Sequence, residues 1–222
     1  QRVEFMAFRD LLGSVAEVND EISVEHGMFD HSSATSHAPV LFNSITEAPG
    51  QRSALNVLAR DRLCSLFEVT PGELIDILAW AMANPAEPEI VDATSAQVLE
   101  NTQASVDLNA LPIPWHYRED RGRYQSASVI IAEYDGIRNM SYHRQFLRDA
   151  NHCVARFVPR HLRTMTDKAR ANGDEVNIAV VNGADATVLL AAAMSFTYDL
   201  DELKVAAALH ERLHGSPLKL VT

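Results

Sequence analysis

The chain has 222 residues, 47% hydrophobic and 22% charged, with a formal net charge of −11 from 30 acidic and 19 basic side chains. That length is enough for one large or two modest domains with buried cores, and the composition is that of a soluble globular protein. The acidic balance disfavours nucleic acid as a partner, because neutralising phosphates takes clustered Lys and Arg. No apolar run approaches the roughly 20 residues that span a bilayer, so no membrane partner is expected.

The opening QRVEFMAFRDLL lacks the basic start, apolar middle and small-residue cleavage site of a signal peptide, and the expected location is cytoplasmic. Cys64 and Cys153 form no CxxC pair, which fits free thiols under reducing conditions. FRDLLGSVAEV has apolar residues at helical spacing, and EISVEH alternates as a short strand would. Residues 27–38, GMFDHSSATSHA, are polar and turn-like, so His31 and His37 are expected to be solvated rather than to bind a metal. APVLFNSI (38–45) and SALNVLA (53–59) read as strands divided by the turn signal PGQ, and are expected to pair beside the helix at 71–84.

RDRLCSLFEV is amphipathic. TPGELIDILAWAMAN carries a Thr70 N-cap, Pro71 at the first helical position and Glu73 three residues after the cap. Leu74, Ile77, Leu78 and Met82 form its expected packing stripe. The two prolines of ANPAEPE end that helix, and a domain boundary is expected near residue 105.

Beyond it come strands (SASVIIAEYD, GIRNMSYHRQFL, HCVARFV), the helix RHLRTMTDKARANG and the strand NIAVVNGA. The helical stretches DATVLLAAAM and DLDELKVAAALHERL follow, then a last strand, SPLKLVT. This order suggests α+β or mixed α/β architecture. His210 and His214 stand four apart on a helix, a spacing able to bind metal, but a solvated face is the expectation.

Five pieces of the sequence, taken in order, resemble one known family. DLNALPIPW (107–115) with GRY (122–124) looks like the entry to the flavin domain of the UbiD family, decarboxylases that use prenylated FMN. NMSYHR (139–144) is similar to the family's Asn-x-Ser-x-x-Arg strand motif, and PRH (159–161) to the Pro-x-His that follows. AVVNGADATVLLAAAM (179–194) resembles its strand–turn–helix core, and DLDELKVAAAL (199–209) the segment with an acidic metal ligand.

The resemblance implies an N-terminal α/β lobe at 1–105, followed at 106–222 by part of a split β-barrel flavin-binding domain with flanking helices. It implies Asn139, His161 and Glu202 as ligands of Mn²⁺ or Mg²⁺, with K⁺ as a further ion. It places prenylated FMN against Asn139, Ser141, Tyr142, His143, Arg144, Arg160, His161, Ala192, Ala193, Met194 and Glu202. Arg144 is the implied catalytic residue, holding the carboxylate of a small-molecule acid. Serines common in the family stand here as Ala192 and Ala193, and a usual proline as Ser195, so flavin contacts there fall to the backbone.

The resemblance also implies that the catalytic glutamates and the dimerising part lie outside these residues. It therefore implies a homo-oligomer or pairing with that C-terminal part, and SPLKLVT is expected as an edge strand wanting a cover. A non-catalytic subunit of a larger carboxylase and an ordinary FMN-binding module are the alternatives.

Without the resemblance, Asn139, His161 and Glu202 also read as three unrelated polar residues. Their mixed oxygen and nitrogen donors nevertheless suit Mn²⁺ or Mg²⁺ completed by phosphate oxygens and water. Arg144 lies an odd number of positions after Asn139, which on a regular strand puts the two on opposite faces. An irregular backbone near Ser141–Tyr142 is therefore expected.

Overall fold

The computed structural model describes residues 8–221, so the first seven residues of QRVEFMAFRDLL and the final Thr222 of SPLKLVT lie outside it. Phe8–Leu12 is a 3-10 turn instead of the start of an amphipathic helix, closed where Gly13 N–H donates to Asp10 O. The chain then extends into β1 (Ala16–Val18). EISVEH makes only isolated bridges, Ile22 to Ile45 and Glu25 to Trp115.

The expected loop at 27–38 is instead a helix, α1 (Gly27–Ala34). Met28 and Ser32, one turn apart, are buried, and Met28 packs with Val24, Val40, Phe42 and Ile45. Burial of that one face outweighs the weak helix propensity of Gly, Ser and His. His31 is half-buried, its ring edge-on to Phe42 at 5.3 Å. His37 is exposed, with Nδ1 3.1 Å from Ser32 Oγ.

β2 (Val40–Phe42) pairs parallel with β1 and antiparallel with β3 (Ser53–Leu55). Two helices follow, α2 (Arg60–Leu66) and α3 (Pro71–Ala83). α3 carries a reciprocal capping box: Glu73 N–H donates to Thr70 Oγ1 at 3.3 Å, and Thr70 N–H donates to the Glu73 carboxylate at 2.8 Å. Thr70→Ala is expected to cost about 1 kcal/mol by removing one half of this cap, read as a lowered urea midpoint at unchanged m-value. The buried stripe of α3 ends on Ala81, not Met82, which is 39% exposed. Leu74, Ile77, Leu78 and Ala81 follow the i, i+3, i+4, i+7 spacing, and Met82, at i+8, sits at the exposed edge of that stripe.

The rest of the chain begins with β4 (Glu89–Val91), β5 (Tyr124–Gln125), β6 (Val129–Tyr134) and β7 (Ile137–Tyr142). It continues through β8 (Gln145–Leu147), β9 (Cys153–Ala155), α4 (His161–Asn172) and β10 (Ile178–Val181). It ends with α5 (Ala186–Ala193), α6 (Glu202–His214) and β11 (Lys219–Val221).

β10, β6 and β7 form one antiparallel sheet in that order, and β5, β8 and β9 another. The stretch read as one strand, GIRNMSYHRQFL, is therefore two strands in different sheets. Its backbone stays regular through Ser141 and Tyr142, which pair with Ile130 and Val129, and breaks at His143–Arg144. The break falls two residues later than the parity argument placed it.

Among the described residues the sheets close no barrel, and the architecture is α+β with six α-helices. The largest apolar cluster draws on both sides of residue 105: Leu63, Leu74 and Ala81 pack with Met140, Leu189 and the α6 run Leu203–Leu209. The alanines at 206–208 let α5 and α6 approach closely. β11 has a partner earlier in the chain, pairing parallel with β4 in the register Leu220 to Ile90. No described helix is long and apolar enough to cross a membrane.

Candidate functional site

The site is built on the β6–β7 hairpin. Asp135 and Gly136 both take positive φ, 55° and 72°, the left-handed pair that matches the twist of a tight hairpin. That turn fixes the register that sets Asn139 opposite Ala132 and Met140 opposite Ile131. Arg138 ties the hairpin to α6, with Nη1 donating to Asp201 Oδ2 at 3.3 Å and Nε to Glu133 at 3.2 Å. The other carboxylate oxygen of Asp201 caps α6 by accepting from Leu203 N–H at 2.9 Å.

Glu202, the first residue of α6, consequently turns its carboxylate onto β7. Oε1 accepts from Asn139 Nδ2 at 2.8 Å, and Oε2 from Met140 N–H at 2.9 Å. His161 opens α4 and brings Nδ1 to 3.7 Å from Glu202 Oε1, its ring held edge-on by Tyr198 at 5.4 Å. Asn139, His161 and Glu202, from three separate elements, are thus gathered around one carboxylate. Ser141 Oγ donates to Asn139 Oδ1 at 3.1 Å and lies 3.0 Å from His143 Nε2, extending the polar chain along β7.

Asn139 is 4% exposed and Glu202 3%. Burial pushes the Glu202 carboxyl above the usual carboxylate range, and the Met140 N–H, its own backbone N–H, His161 and Asn139 pull back only partly. A buried carboxylate served by neutral donors and one imidazole lacks a full positive partner. The donor set fits a hard or borderline divalent cation. A half-turn of the Asn139 amide would hand Nδ2 to Ser141 Oγ, which accepts as readily as it donates, and present Oδ1 to an ion.

The other expected residues sit nearby in different roles. Arg160, at the N-cap of α4, donates to Ser195 Oγ at 3.1 Å, joining the start of α4 to the residue after the α5 cap. Ala192 is buried, Ala193 exposed and Met194 half-buried at the C-cap of α5. The Tyr142 hydroxyl donates to Leu189 O at 3.1 Å, and burial raises its pKa to about 12, so its side chain serves packing. Arg144 is not drawn to the carboxylate of Glu202. Its Nη2 donates to Asp120 Oδ1 at 3.2 Å, and its guanidinium lies 4.5 Å from the centre of the Tyr124 ring.

Sequence reasoning missed Arg138, Asp120, Tyr124 and Tyr198. It also missed Asp201, which an N-cap reading of DLDE would have found. The expectation of solvated His210 and His214 is corrected: His210 is 3% exposed and His214 half-buried.

Burial holds His143 below the ordinary imidazole range. It does the same for His116, where Arg144 adds to the lowering and Asp120 opposes it. A base with a depressed folded-state pKa contributes stability that is present above the unfolded value, about 6.5, and lost as pH falls through the folded value. The melting temperature is therefore expected to fall on acidification from neutrality, and less steeply in the double variant His116→Gln, His143→Gln. Parallel pH profiles of the two proteins would remove these histidines from the account.

The UbiD family model, described as 3-octaprenyl-4-hydroxybenzoate carboxy-lyase Rift-related domain, matches residues 89–222. The anhydromevalonate phosphate decarboxylase of Methanosarcina mazei is 30% identical over 97% of this chain and 50% of its own length. An evolved dimeric form of the UbiD-class enzyme HmfF from Pelotomaculum thermopropionicum, solved in complex with prFMN, superposes with a TM-score of 0.90. It is 27% identical, across 98% of this chain and 52% of that one. Vanillic acid decarboxylase of Sedimentibacter hydroxybenzoicus shares the fold at a TM-score of 0.88 and 18% identity, over 99% of this chain and 51% of that one. The chain spans about half the length of the curated relatives it matches. It belongs to the UbiD family.

Proposed function

We propose that the protein is a non-oxidative, reversible decarboxylase of an unsaturated or aromatic carboxylic acid, working with prenylated FMN and Mn²⁺ or Mg²⁺. These residues would supply the cation and phosphate end of the cofactor site. The observation that carries this reading is the convergence of Asn139 and His161 on the buried carboxylate of Glu202. Family membership and the prFMN bound in the HmfF relative give it its chemistry.

Loss of CO₂ from an sp² carbon leaves a carbanion with nowhere to delocalise, and prenylated FMN supplies the electron sink. Asn139, His161 and Glu202 would hold the cation that neutralises the cofactor phosphate, with K⁺ as a further ion. Arg160 stands beside His161 to donate to a phosphate oxygen. Ala192 and Ala193 offer little bulk where α5 ends, beside the unbranched side chain of Met194, so a flat ring system could approach the backbone there. Ser141, Tyr142 and His143 would line the cofactor mainly through backbone groups. Arg144 presents a planar fork that matches a carboxylate, and its exposed pairing with Asp120 is weak enough for a substrate acid to replace.

The protonating glutamate that the family resemblance implies lies outside these residues, so this stretch alone is expected to bind cofactor without turnover. The name of the Methanosarcina relative puts a phosphorylated acid among the substrates to test. A homo-oligomer, or pairing with the family's C-terminal part, would complete the site.

The test is a flavin titration of the purified chain, with prenylated FMN and FMN compared, each with and without Mn²⁺. Saturable binding that prefers prenylated FMN and needs Mn²⁺ is expected. Equal, metal-independent binding of plain FMN would favour an ordinary flavin module instead.

A further inference from the structure

A second polar cluster lies where α5 begins and α6 ends. Asp185, the N-cap of α5, faces His210 and His214 on the last turns of α6, and one ligand atom from each lies within 4.8 Å of the others. His210 Nε2 is 4.0 Å from Asp185 Oδ2, and the two imidazole rings stand 4.8 Å apart at 68°. Phe67 covers His214 from the apolar side, its ring 5.7 Å away.

The cluster's internal bonding is incomplete in a specific way. His210 Nδ1 is 2.9 Å from Ser216 O, which can only accept, so Nδ1 carries the proton. In the neutral ring Nε2 is then a bare lone pair, and it faces a carboxylate oxygen. Asp185 Oδ1 is engaged by the backbone and hydroxyl of Thr187. Asp185 Oδ2 and His214 Nε2 are buried and, among the described residues, have no hydrogen-bond partner. Buried polar atoms without partners are rare in native proteins, and here two of them belong to groups that ligate metals.

We infer that Asp185, His210 and His214 form a binding site for a divalent transition metal of the Zn²⁺ class, clamping the N-terminus of α5 to the C-terminal turns of α6. Two imidazole nitrogens and one carboxylate oxygen are a Zn²⁺ donor set, with a fourth position left for water. Bonds of about 2.0–2.2 Å put tetrahedral ligands roughly 3.3–3.6 Å apart, so closure needs the side chains to move in by about an ångström. The Ser216 carbonyl on His210 Nδ1 is the outer partner that ligating imidazoles use to fix their tautomer. His210 lies eight residues after Glu202 on α6, about 12 Å along the axis, so this site is separate from the one around Glu202.

The experiment uses the purified 222-residue chain carrying His161→Ala, which removes the histidine of the first site, after stripping with chelator. Isothermal titration with Zn²⁺ is expected to show one saturable site per chain. Co²⁺ at the same stoichiometry is expected to give the intense visible absorption of four-coordinate cobalt, with Mg²⁺ and Mn²⁺ failing to compete.

Asp185→Asn, which keeps the helix cap, and His214→Gln, at a half-buried position, are each expected to weaken Zn²⁺ binding. The loss should exceed the roughly 10–100-fold typical of losing an outer-shell partner. Zn²⁺ at about 100 times its Kd should raise the melting temperature of the folded chain by about 5–10 °C, and should not do so in His214→Gln. The inference is overturned by the absence of saturable Zn²⁺ binding, by binding that survives both substitutions, or by an equal response to Mg²⁺. Any of these would leave the cluster holding a proton or a water instead.

Discussion

Glu202→Gln is expected to abolish Mn²⁺-supported binding of prenylated FMN while leaving the cofactor-free chain at least as stable at neutral pH. The first half follows from charge: Glu202 is the carboxylate that meets Asn139 and His161 among the described residues, and a neutral amide there removes the cation's anionic ligand. The loss in affinity should exceed the roughly 10–100-fold that removal of an outer-shell partner costs.

The second half follows from burial, which raises this carboxyl's pKa. A carboxyl whose folded-state pKa is raised contributes stability that is fully present below its unfolded value. That contribution is lost as pH rises through the folded value, so at neutrality the ionised group is a burden in the absence of a cation. Glutamine has nearly the same shape and keeps an acceptor for Met140 N–H, and a turned Asn139 amide can accept from its NH₂. Flavin titration and thermal unfolding, each run with and without Mn²⁺, separate the two halves. Undiminished cofactor binding by the variant would end the metal assignment, and a large loss of cofactor-free stability would show that the carboxylate is already satisfied.

How far the sequence reaches is clearest at this same site. Asn139, His161 and Glu202 come from three distant segments, and no local pattern links them. Only the ordered resemblance to a family did so, while the convergence itself depends on Arg138 and Asp201 docking α6 onto β7. The parity argument at Asn139 and Arg144 was sound physics: two residues an odd step apart cannot share a face of one strand. It misplaced the break because alternation carries no record of where a chain changes sheets, and here that happens at His143–Arg144.

α1 was hidden because Gly, Ser and His argue against a helix locally, whereas Met28 finds its pocket only after β2 is in place. The parallel partner of β11 is more than a hundred residues upstream, a pairing with no local signature. His210 sits in sequence beside Glu211 and Arg212, which are exposed. Neither neighbour signals that His210 is buried beside Asp185 at the start of another helix. Capping was the opposite case. The Thr70 box on α3 is written wholly within four residues, and it forms as read.

Arg144→Ala is expected to lower decarboxylation by about 10²-fold or more when placed in a polypeptide of the relatives' full length, and the 222-residue chain alone is expected to release no CO₂ above background. The guanidinium is held over the Tyr124 ring and by one bond to Asp120, while its side chain remains 60% exposed. An exposed pair of this kind is worth about 0–1 kcal/mol, so a substrate carboxylate can displace Asp120 at little cost. A reacting acid misplaced by about an ångström loses about 10²-fold in rate, and Arg144→Lys should fall between, keeping the charge without the fork.

The inactivity of the short chain rests on proton donors. Asp120 is the acid hydrogen-bonded to Arg144, and Glu202 is buried and engaged by Asn139 and Met140. The proton donor that the family resemblance implies is a glutamate outside these residues, and a positioned donor is worth about 10²–10⁴-fold. The measurement is CO₂ release from cinnamate-like, aromatic, pyrrole and phosphorylated unsaturated acids, with both polypeptides loaded with prenylated FMN and Mn²⁺ and run side by side. Turnover by the short chain that Arg144→Ala abolishes would put the proton donor within these residues. Bound prenylated FMN with no turnover from the longer polypeptide would instead make this a cofactor-binding subunit that leaves the chemistry to a partner.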